Sequence, residues 1–170
     1  MALALPKITW RDEVLPSDPA LIRALVEDSG GFFRPDEVAV AQELADTRLA
    51  QGLASGYHFV FAQEAGEVLG YACYGPIACT LGSWDLYWIV VQRAQRGRGL
   101  GAALLERAEA AAAASGGRSM YVETSSRPLY DPTRRFYEAR GYRVLAVLSQ
   151  FYAPDDDKVI YGKTLAAPAA

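Results

Sequence analysis

The chain has 170 residues, of which 51% are hydrophobic and 22% are charged, a composition typical of a globular domain and unlike that of disordered or fibrous chains. Its 17 Lys and Arg residues against 20 Asp and Glu residues give a formal net charge of −3. Dedicated nucleic-acid binders are usually basic, so this net charge argues against a protein of that class. A single domain over residues 1–170 fits the usual size of roughly 100–200 residues per domain.

No membrane-spanning segment is predicted. The longest apolar run covers residues 86–91, whereas a spanning helix needs about 20 apolar residues. The N-terminal stretch MALALPKITW lacks the basic start of a secretory signal and reaches Pro6 after a very short apolar stretch. We therefore expect a cytoplasmic protein with no membrane partner, in which Cys73 and Cys79 are reduced packing residues.

The first half of the chain predicts one strand, two helices and three further strands. In chain order these are a strand at 7–15, helices at 19–30 and 35–54, and strands at 57–63, 67–75 and 84–91. Ser17 or Asp18 can cap the first helix, which opens with Pro19. Apolar residues at helical spacing give the second helix an inward face, formed by Val38, Ala41, Leu44, Ala45 and Leu49. The strand at 84–91 is apolar on both faces near its end, which is typical of a central strand.

The second half predicts two helices and three strands. In chain order these are a helix at 99–114, a strand at 118–124, a helix at 132–141 that Asp131 caps, and strands at 142–152 and 158–165. The last two strands are joined by the turn APDDD. Elements in the order β, α, α, β, β, β, α, β, α, β, β predict a mixed α/β fold without internal repeats.

Residues 88–110, WIVVQRAQRGRGLGAALLERAEA, carry the clearest sign of a binding site. A strand runs into a short loop and then directly into a strong helix; the loop region holds Gly97, Gly99, Gly101, Arg93, Arg96 and Arg98. Glycines let a ligand approach the backbone closely, and the amides at a helix N-terminus attract negative charge. The segment therefore predicts a site for a phosphate or pyrophosphate.

The spacing alone leaves several interpretations open. No Walker A string occurs, but Gly97, Gly99 and Ala102 satisfy the looser form of the dinucleotide fingerprint. Glu123 lies at about the distance at which that fold places its acidic residue, although the surrounding element order differs from a dinucleotide-binding domain. A glycine-rich turn that only packs a helix onto a strand is a third interpretation.

Two segments together identify a family. Residues 96–101, RGRGLG, resemble the Q/R-x-x-G-x-G/A signature of the GCN5-related N-acetyltransferases, abbreviated GNAT. Residues 136–142, FYEARGY, resemble the second signature of that family, an aromatic-Tyr pair followed by a Gly-aromatic pair. The order of elements also matches from about residue 7 to residue 165. The resemblance implies a mixed, mostly antiparallel central sheet flanked by helices, the acyl-CoA N-acyltransferase fold.

The resemblance further implies that the chain binds acetyl-CoA (coenzyme A). Its pyrophosphate would lie on the loop formed by Arg96, Gly97, Arg98, Gly99, Leu100 and Gly101. Its pantetheine arm would pair like an extra strand with the strand end formed by Ile89, Val90 and Val91. A strand end with unpaired amides and carbonyls can satisfy the amide groups of such an arm.

The reaction implied is direct transfer of the acetyl group to a primary amine of a small molecule, amino acid or peptide. Such a reaction needs a deprotonated amine, a polarised carbonyl and a proton for the leaving thiolate. A backbone amide near Val90 or Val91 could polarise the carbonyl. By its place in the second signature, Tyr137 is the expected general acid, because tyrosine hydroxyls stay protonated at neutral pH.

Two carboxylates are candidates for the general base. Asp85 matches the position of the glutamate base in histone-acetylating members of the family, and Glu123 lies on the adjacent predicted strand. Water is the third alternative, since many family members leave deprotonation to solvent. One position departs from the family pattern, because Tyr130 stands where an asparagine often contacts the coenzyme.

Several points stay open from the sequence. A coenzyme-binding sensor or interaction module with the same fold is the alternative to an enzyme, and a homodimer is the alternative to a monomer. The acidic residues 155–157 either attract a cationic acceptor or form an ordinary exposed turn. His58 is the only histidine, and it is expected to be an ordinary strand-end residue, so no metal site is predicted.

Overall fold

The computed structural model describes residues 7–166. The strands are β1 (Thr9–Arg11), β2 (His58–Glu64), β3 (Glu67–Pro76), β4 (Ser83–Val91), β5 (Ser119–Ser125), β6 (Arg143–Ala153) and β7 (Asp156–Thr164). The helices are α1 (Asp18–Glu27), α2 (Pro35–Gln51), α3 (Leu100–Ala114) and α4 (Asp131–Glu138). The predicted mixed α/β fold is therefore confirmed.

The strands lie in the order β1-β2-β3-β4-β5-β7-β6, so β4 is central, as its apolar sequence predicts. The pairs β1–β2, β2–β3, β5–β7 and β6–β7 are antiparallel, and β4–β5 is parallel. The parallel register joins 83–85 of β4 to 119–121 of β5. Both strands then continue beyond the paired part, to Val91 and Ser125.

Contacts divide the described part of the chain into two compact units, residues 7–75 with 88–108 and residues 76–87 with 109–166. Strand β4 and helix α3 each contribute to both units. The single domain expected over residues 1–170 stays a prediction.

The first unit has its core where α1 and α2 pack on β2 and β3. Its most deeply buried side chains are Ile22, Val26, Ala45, Phe59, Phe61, Tyr71 and Cys73. The rings of Phe59, Phe61 and Tyr71 stack with centroids 5.9–6.3 Å apart. Burying one large apolar side chain of this kind stabilises a fold by about 1.5–3 kcal/mol.

The N-terminal elements are shorter than predicted. β1 covers only three residues instead of 7–15, because the Asp18 carboxylate redirects the chain before α1. It accepts hydrogen bonds from the Leu15 amide at 2.7 Å and from the Arg11 guanidinium at 2.7 and 3.0 Å. Asp18 is thus a buried partner of Arg11 and does not cap the helix, and Ser17 makes no side-chain cap either. α1 ends at Glu27 rather than at Gly30.

At the start of helix α2, the Glu37 carboxylate accepts a hydrogen bond from the Arg34 amide at 2.7 Å, which is one of the two bonds of a capping box. It ends at Gln51 rather than 54, and a 3₁₀ turn at Gly52–Ser55 follows. Leu49 was expected to face inward, but its side chain is 39% exposed. The buried stripe of α2 is narrower than the sequence pattern suggests.

The second unit has an aromatic core. Its buried side chains include Trp84, Leu86, Met120, Val122, Tyr137, Tyr142, Val159 and Tyr161. Residues alternate between a buried and a more exposed face along 83–87 of β4 and along 119–124 of β5. Strand β6 ends at Ala153 and strand β7 begins at Asp156. The turn between them is therefore shorter than the predicted turn at 153–157.

Candidate active site

The segment that runs from the end of β4 into the first turn of α3, residues 92–102, is called the glycine loop below. It is fixed at its start by Gln92, whose side-chain amide donates to the Val68 carbonyl and to the Glu67 carboxylate, both at 3.0 Å. The Gln92 backbone amide donates to the Leu69 carbonyl at 2.8 Å. Three hydrogen bonds thus attach the end of β4 to β3. This role of Gln92 was not predicted from the sequence.

Two glycines give the loop its conformation. Gly97 and Gly99 have φ angles of +80° and +79°, which residues with a side chain rarely adopt. Within residues 7–166, no backbone hydrogen bond is donated by the amides of residues 97–102. These amides stand at the N-terminus of the 15-residue helix α3, where the helix dipole attracts anions. The loop therefore presents backbone amides of the kind that bind anions at other helix N-termini.

The arginines contribute less directly than the sequence suggests. The Arg98 guanidinium donates to the Glu64 carboxylate at 2.7 Å and also contacts the Gln95 side chain. The guanidinium of Arg93 lies 3.4 Å from the point that a Cβ on Gly30 would occupy. Arg96 is exposed. Because its side chain is engaged, Arg98 offers an anion chiefly its backbone amide.

The strand end before the loop packs tightly on β3. β3 carries an extra residue, Leu69, opposite the Ala62–Gln63 step of β2. A Cβ on Gly70 would stand 2.7 Å from the Val90 carbonyl oxygen and 3.1 Å from the Val91 Cα, so only glycine permits this approach. Val90 is 4% exposed, whereas Ile89 and Val91 are partly exposed. The glycine on β3 thereby defines the position of the backbone at 90 and 91.

In the second unit, Tyr137 lies in a cluster of aromatic rings. It is 3% exposed, and its ring centroid lies 5.2 Å from that of Phe136, 5.5 Å from that of Tyr142 and 6.3 Å from that of Tyr161. Burial raises the pKa of the Tyr137 hydroxyl. The group is therefore protonated at neutral pH, which a general acid requires.

The other two tyrosines of the cluster have partners. The Tyr142 hydroxyl donates to Glu109 and the Tyr161 hydroxyl donates to Glu138, each at 2.9 Å. No hydrogen bond of the Tyr137 hydroxyl occurs within residues 7–166. Of these three hydroxyls, only that of Tyr137 donates no hydrogen bond within the part of the chain described.

Asp85 and Glu123 lie on one face of the sheet of the second unit. Asp85 pairs with Tyr121 across β4 and β5, and Glu123 is two residues further along β5, so all three side chains share a face. We call this the open face, formed by Asp85, Tyr121, Glu123, Lys158 and Phe151. Burial and the charge of Glu123 raise the pKa of Asp85, while the Lys158 ammonium acts in the opposite direction.

Lys158 is a charged residue of this face that the sequence analysis missed. Its ammonium is 2.7 Å from Glu123 Oε2 and 3.7 Å from the centroid of the Phe151 ring. The ring reaches it because β6 is irregular between Leu148 and Ala153, where Gln150 has a φ of +54°. Alternation along β7 could have placed Lys158 on a face with Ile160, but only the register places it beside Glu123.

The acidic residues 155–157 do not form one exposed cluster. Asp156 is 4% exposed, and its carboxylate accepts hydrogen bonds from the Ser125 hydroxyl and the Ser126 amide and pairs with Arg127 at 3.2 Å. Asp157 accepts from the Gln150 amide at 2.7 Å. The expectation that this acidic group attracts an acceptor, or forms an ordinary exposed turn, is wrong for Asp156. It holds the segment that follows β5.

Other residues considered from the sequence have structural roles. Cys73 is buried and Cys79 is exposed, and both are free thiols, so the packing role expected for Cys79 is wrong. Burial and Arg48 lower the pKa of His58, whose ring stacks on that of Tyr74. Tyr130 is buried, with the Arg127 guanidinium 5.5 Å from its ring centroid.

Within residues 7–166, no group of three His, Cys, Asp or Glu side chains is arranged to hold a metal ion. Over the same residues, no helix is long and apolar enough to cross a membrane.

Sequence comparison links the chain to a family of transferases. The model of the acetyltransferase (GNAT) family matches residues 21–142. A crystal structure of a GNAT-family protein from Desulfovibrio desulfuricans is 49% identical in sequence, with a TM-score of 0.92 over 94% of this chain and 100% of that chain. A search of curated protein sequences gave no match.

More distant structures share the fold. The ribosomal-protein-S18-alanine N-acetyltransferase of Escherichia coli is 17% identical, with a TM-score of 0.75 over 96% of this chain and 97% of its own. An aminoglycoside 6'-N-acetyltransferase complexed with coenzyme A is 20% identical, with a TM-score of 0.75 over 96% and 99%. At these identities, the similarity concerns the arrangement of strands and helices.

Proposed function

Because this chain belongs to the GNAT family of acetyltransferases, we propose that it transfers an acetyl group directly from acetyl-CoA to a primary amine. The acceptor is a small molecule, an amino acid or a peptide. The observation that carries the proposal is the glycine loop, whose amides at 97–102 have no backbone acceptor within the described residues and lie at the start of α3. The reaction leaves free coenzyme A and an N-acetylated amine.

The residues of the glycine loop fit the pyrophosphate of the coenzyme. A Cβ on Gly97 or Gly99 would meet nothing within 4 Å, so the backbone is open to approach. We assign pyrophosphate binding to residues 96–101 and pairing with the pantetheine arm to Ile89, Val90 and Val91. When bound, the coenzyme supplies the acetyl group as a thioester. The amide of Val90 or Val91 would donate to the thioester carbonyl oxygen and stabilise the charge that develops there.

Tyr137 is assigned as the general acid. Its raised pKa keeps the buried hydroxyl protonated until the thiolate forms, and the hydroxyl has no competing hydrogen-bond partner within the described residues. Tyr142 and Tyr161 donate instead to Glu109 and Glu138, which makes them less suitable for this step.

Asp85 is assigned as the general base, and Glu123 is assigned a supporting role. Glu123 is paired with Lys158 at 2.7 Å, so its carboxylate is already engaged with a cation. Asp85 makes no ion pair within residues 7–166, and its raised pKa makes it a stronger base than an ordinary aspartate. It would take a proton from the incoming ammonium, directly or through one water.

The identity of the acceptor is not given by the fold. The two distant relatives described above act, by their names, on a ribosomal-protein alanine and on an aminoglycoside. On the open face Lys158 neutralises Glu123, which leaves the Asp85 carboxylate as the group that favours an acceptor arriving as an ammonium ion. A cytoplasmic location and a homodimer stay predictions.

A panel of amines tests this proposal against the alternative of a coenzyme-binding sensor. Amino acids, polyamines, aminoglycosides and N-terminal peptides are incubated with acetyl-CoA and the wild-type protein, and released thiol is measured. The matched control is Tyr137→Phe, which retains the glycine loop. The enzyme is supported when at least one amine gives thiol release that the control lacks. Binding of acetyl-CoA without thiol release for any amine would favour the sensor.

A further inference from the structure

Lys158 contacts both Glu123 and the aromatic end of β6. It lies on β7, opposite Ser125 of β5 and Leu148 of β6. Its side chain is only 13% exposed, whereas that of its partner Glu123 is 50% exposed. The ammonium is thus held inside the open face, by the Glu123 carboxylate on one side and the Phe151 ring on another.

An ammonium in this place acts on both carboxylates. It pairs with Glu123 directly, and its charge opposes the effect of Glu123 on Asp85. The titratable groups that face Asp85 from the neighbouring strands are Tyr121 and Glu123 on β5 and Lys158 on β7. Without Lys158, Glu123 would be an uncompensated negative charge next to Asp85.

We propose that Lys158 is a positioning residue for acetyl transfer, which holds Glu123 out of the reaction and sets the proton occupancy of Asp85. The inference rests on the proposed function, in which Asp85 takes the proton of the amine. The partly buried face keeps the effect of one lysine from being lost to solvent screening. The roles of the two carboxylates are then separated by a residue that touches only one of them.

A second lysine on the same strand provides a matched control. Lys163 pairs with Glu109 at 2.7 Å, also partly buried. It lies opposite Met120, on the other face from Asp85. Lys163→Met therefore removes a comparable ion pair without changing the charges around Asp85.

Two measurements test the inference. The first follows the carboxyl carbon of Asp85 by NMR against pH in the absence of acetyl-CoA and amine, with Asp85→Asn to assign the signal. The second is the pH profile of kcat/KM with the best acceptor. Both are made on the wild type, Lys158→Met, Lys158→Arg, Glu123→Gln and Lys163→Met.

The expected shifts have opposite signs. Lys158→Met removes the charge that lowers the pKa of Asp85, so its titration and the acid limb of kcat/KM move to higher pH. Activity is then lost several-fold on the acid limb of the profile and little at its alkaline end. Glu123→Gln removes a charge that raises this pKa, so the titration and the acid limb move to lower pH. Lys158→Arg and Lys163→Met should leave both near their wild-type positions.

The outcomes separate the inference from the proposed function. An Asp85 titration that is unmoved in Lys158→Met overturns the inference and leaves the proposed function intact. A titration that moves while the kcat/KM profile stays in place overturns Asp85 as the base. Should Lys158→Met fail to fold, the opposite shift expected for Glu123→Gln tests the same charge balance with Lys158 in place.

Discussion

The glycine loop and the open face offer their ligands different parts of the chain. The loop offers backbone amides at 97–102, held by two glycines with positive φ. The open face offers side chains from separate strands, which already bind one another, as Lys158 binds Glu123. A backbone site depends on conformation and tolerates changes of side chain, whereas a side-chain site is sensitive to the exchange of single functional groups.

The same difference separates the tasks assigned to the two regions. Coenzyme binding is assigned to one contiguous segment next to a helix N-terminus. Proton transfer is assigned to side chains that are far apart in the sequence, Asp85 of the open face and Tyr137 of the aromatic cluster. Substitutions in the first region should change affinity for acetyl-CoA, and substitutions in the second should change turnover.

The largest effect is expected from Tyr137→Phe. Removing the general acid should lower kcat by roughly 10²-fold, in line with the usual contribution of acid–base catalysis, without changing the Kd of acetyl-CoA. Tyr161→Phe is the matched control, because Tyr161 belongs to the same cluster but donates to Glu138. Equal kcat values for the two variants would remove Tyr137 from the mechanism.

Asp156→Asn should destabilise the second unit. The buried carboxylate accepts hydrogen bonds from Ser125 at the end of β5 and from the following Ser126 amide, and it pairs with Arg127. Weakening these contacts should cost about 1–3 kcal/mol of unfolding free energy. Urea denaturation measures this loss. The neighbouring exposed Asp155 serves as control, and Asp155→Asn should leave stability unchanged. Comparable losses in both variants would contradict a buried structural role for Asp156.

Gly99→Ala should weaken coenzyme binding. A left-handed conformation costs a residue with a Cβ about 1–2 kcal/mol, which corresponds to roughly a 5–30-fold rise in Kd if the loop must keep this shape to bind. kcat at saturating acetyl-CoA should stay unchanged. Gly66→Ala carries the same strain, since Gly66 has a φ of +86° in the β2–β3 turn, but should leave the Kd unaltered. A Kd that rises equally in both variants would show general destabilisation.

Arg98→Ala should have the smallest effect. The guanidinium pairs with Glu64 near the surface, and exposed ion pairs contribute at most about 1 kcal/mol. The Kd of acetyl-CoA, measured by calorimetry, should change by less than about threefold if the backbone is the main ligand. A rise of about tenfold or more would mean that the guanidinium itself binds the coenzyme.

The glycine loop could be predicted from the sequence, because the residues that specify it are neighbours in the chain. Glycines at 97 and 99 between an apolar strand and a helix specify a strand, a loop and a helix N-terminus without reference to distant residues. The same holds for β4 as the central strand. The shortened β1 could not be predicted, since it depends on the Asp18 carboxylate turning back to Arg11 and to the Leu15 amide.

The open face was predicted only in part, because its residues come from separate strands. Asp85 and Glu123 were recognised as candidates, but their surroundings depend on strand register. Lys158 comes 35 residues after Glu123 in the chain, and only the β5–β7 pairing brings them together. Asp156 was counted with an acidic turn because its burial depends on Ser125, Ser126 and Arg127. Both the contact of Lys158 with Glu123 and the burial of Asp156 depend on how the strands pair, and no short sequence motif predicts that pairing.

Single-turnover transfer tests the central claim most directly. Wild-type protein in excess over acetyl-CoA is mixed with an accepting amine, and the acetylated amine, the free thiol and the intact mass of the protein are followed together by mass spectrometry. Direct transfer predicts that N-acetylated amine and coenzyme A appear at one rate and in equal amounts, with the mass of the protein unchanged. Thiol released without acetylated amine, or an acetylated protein formed before the product, would contradict it.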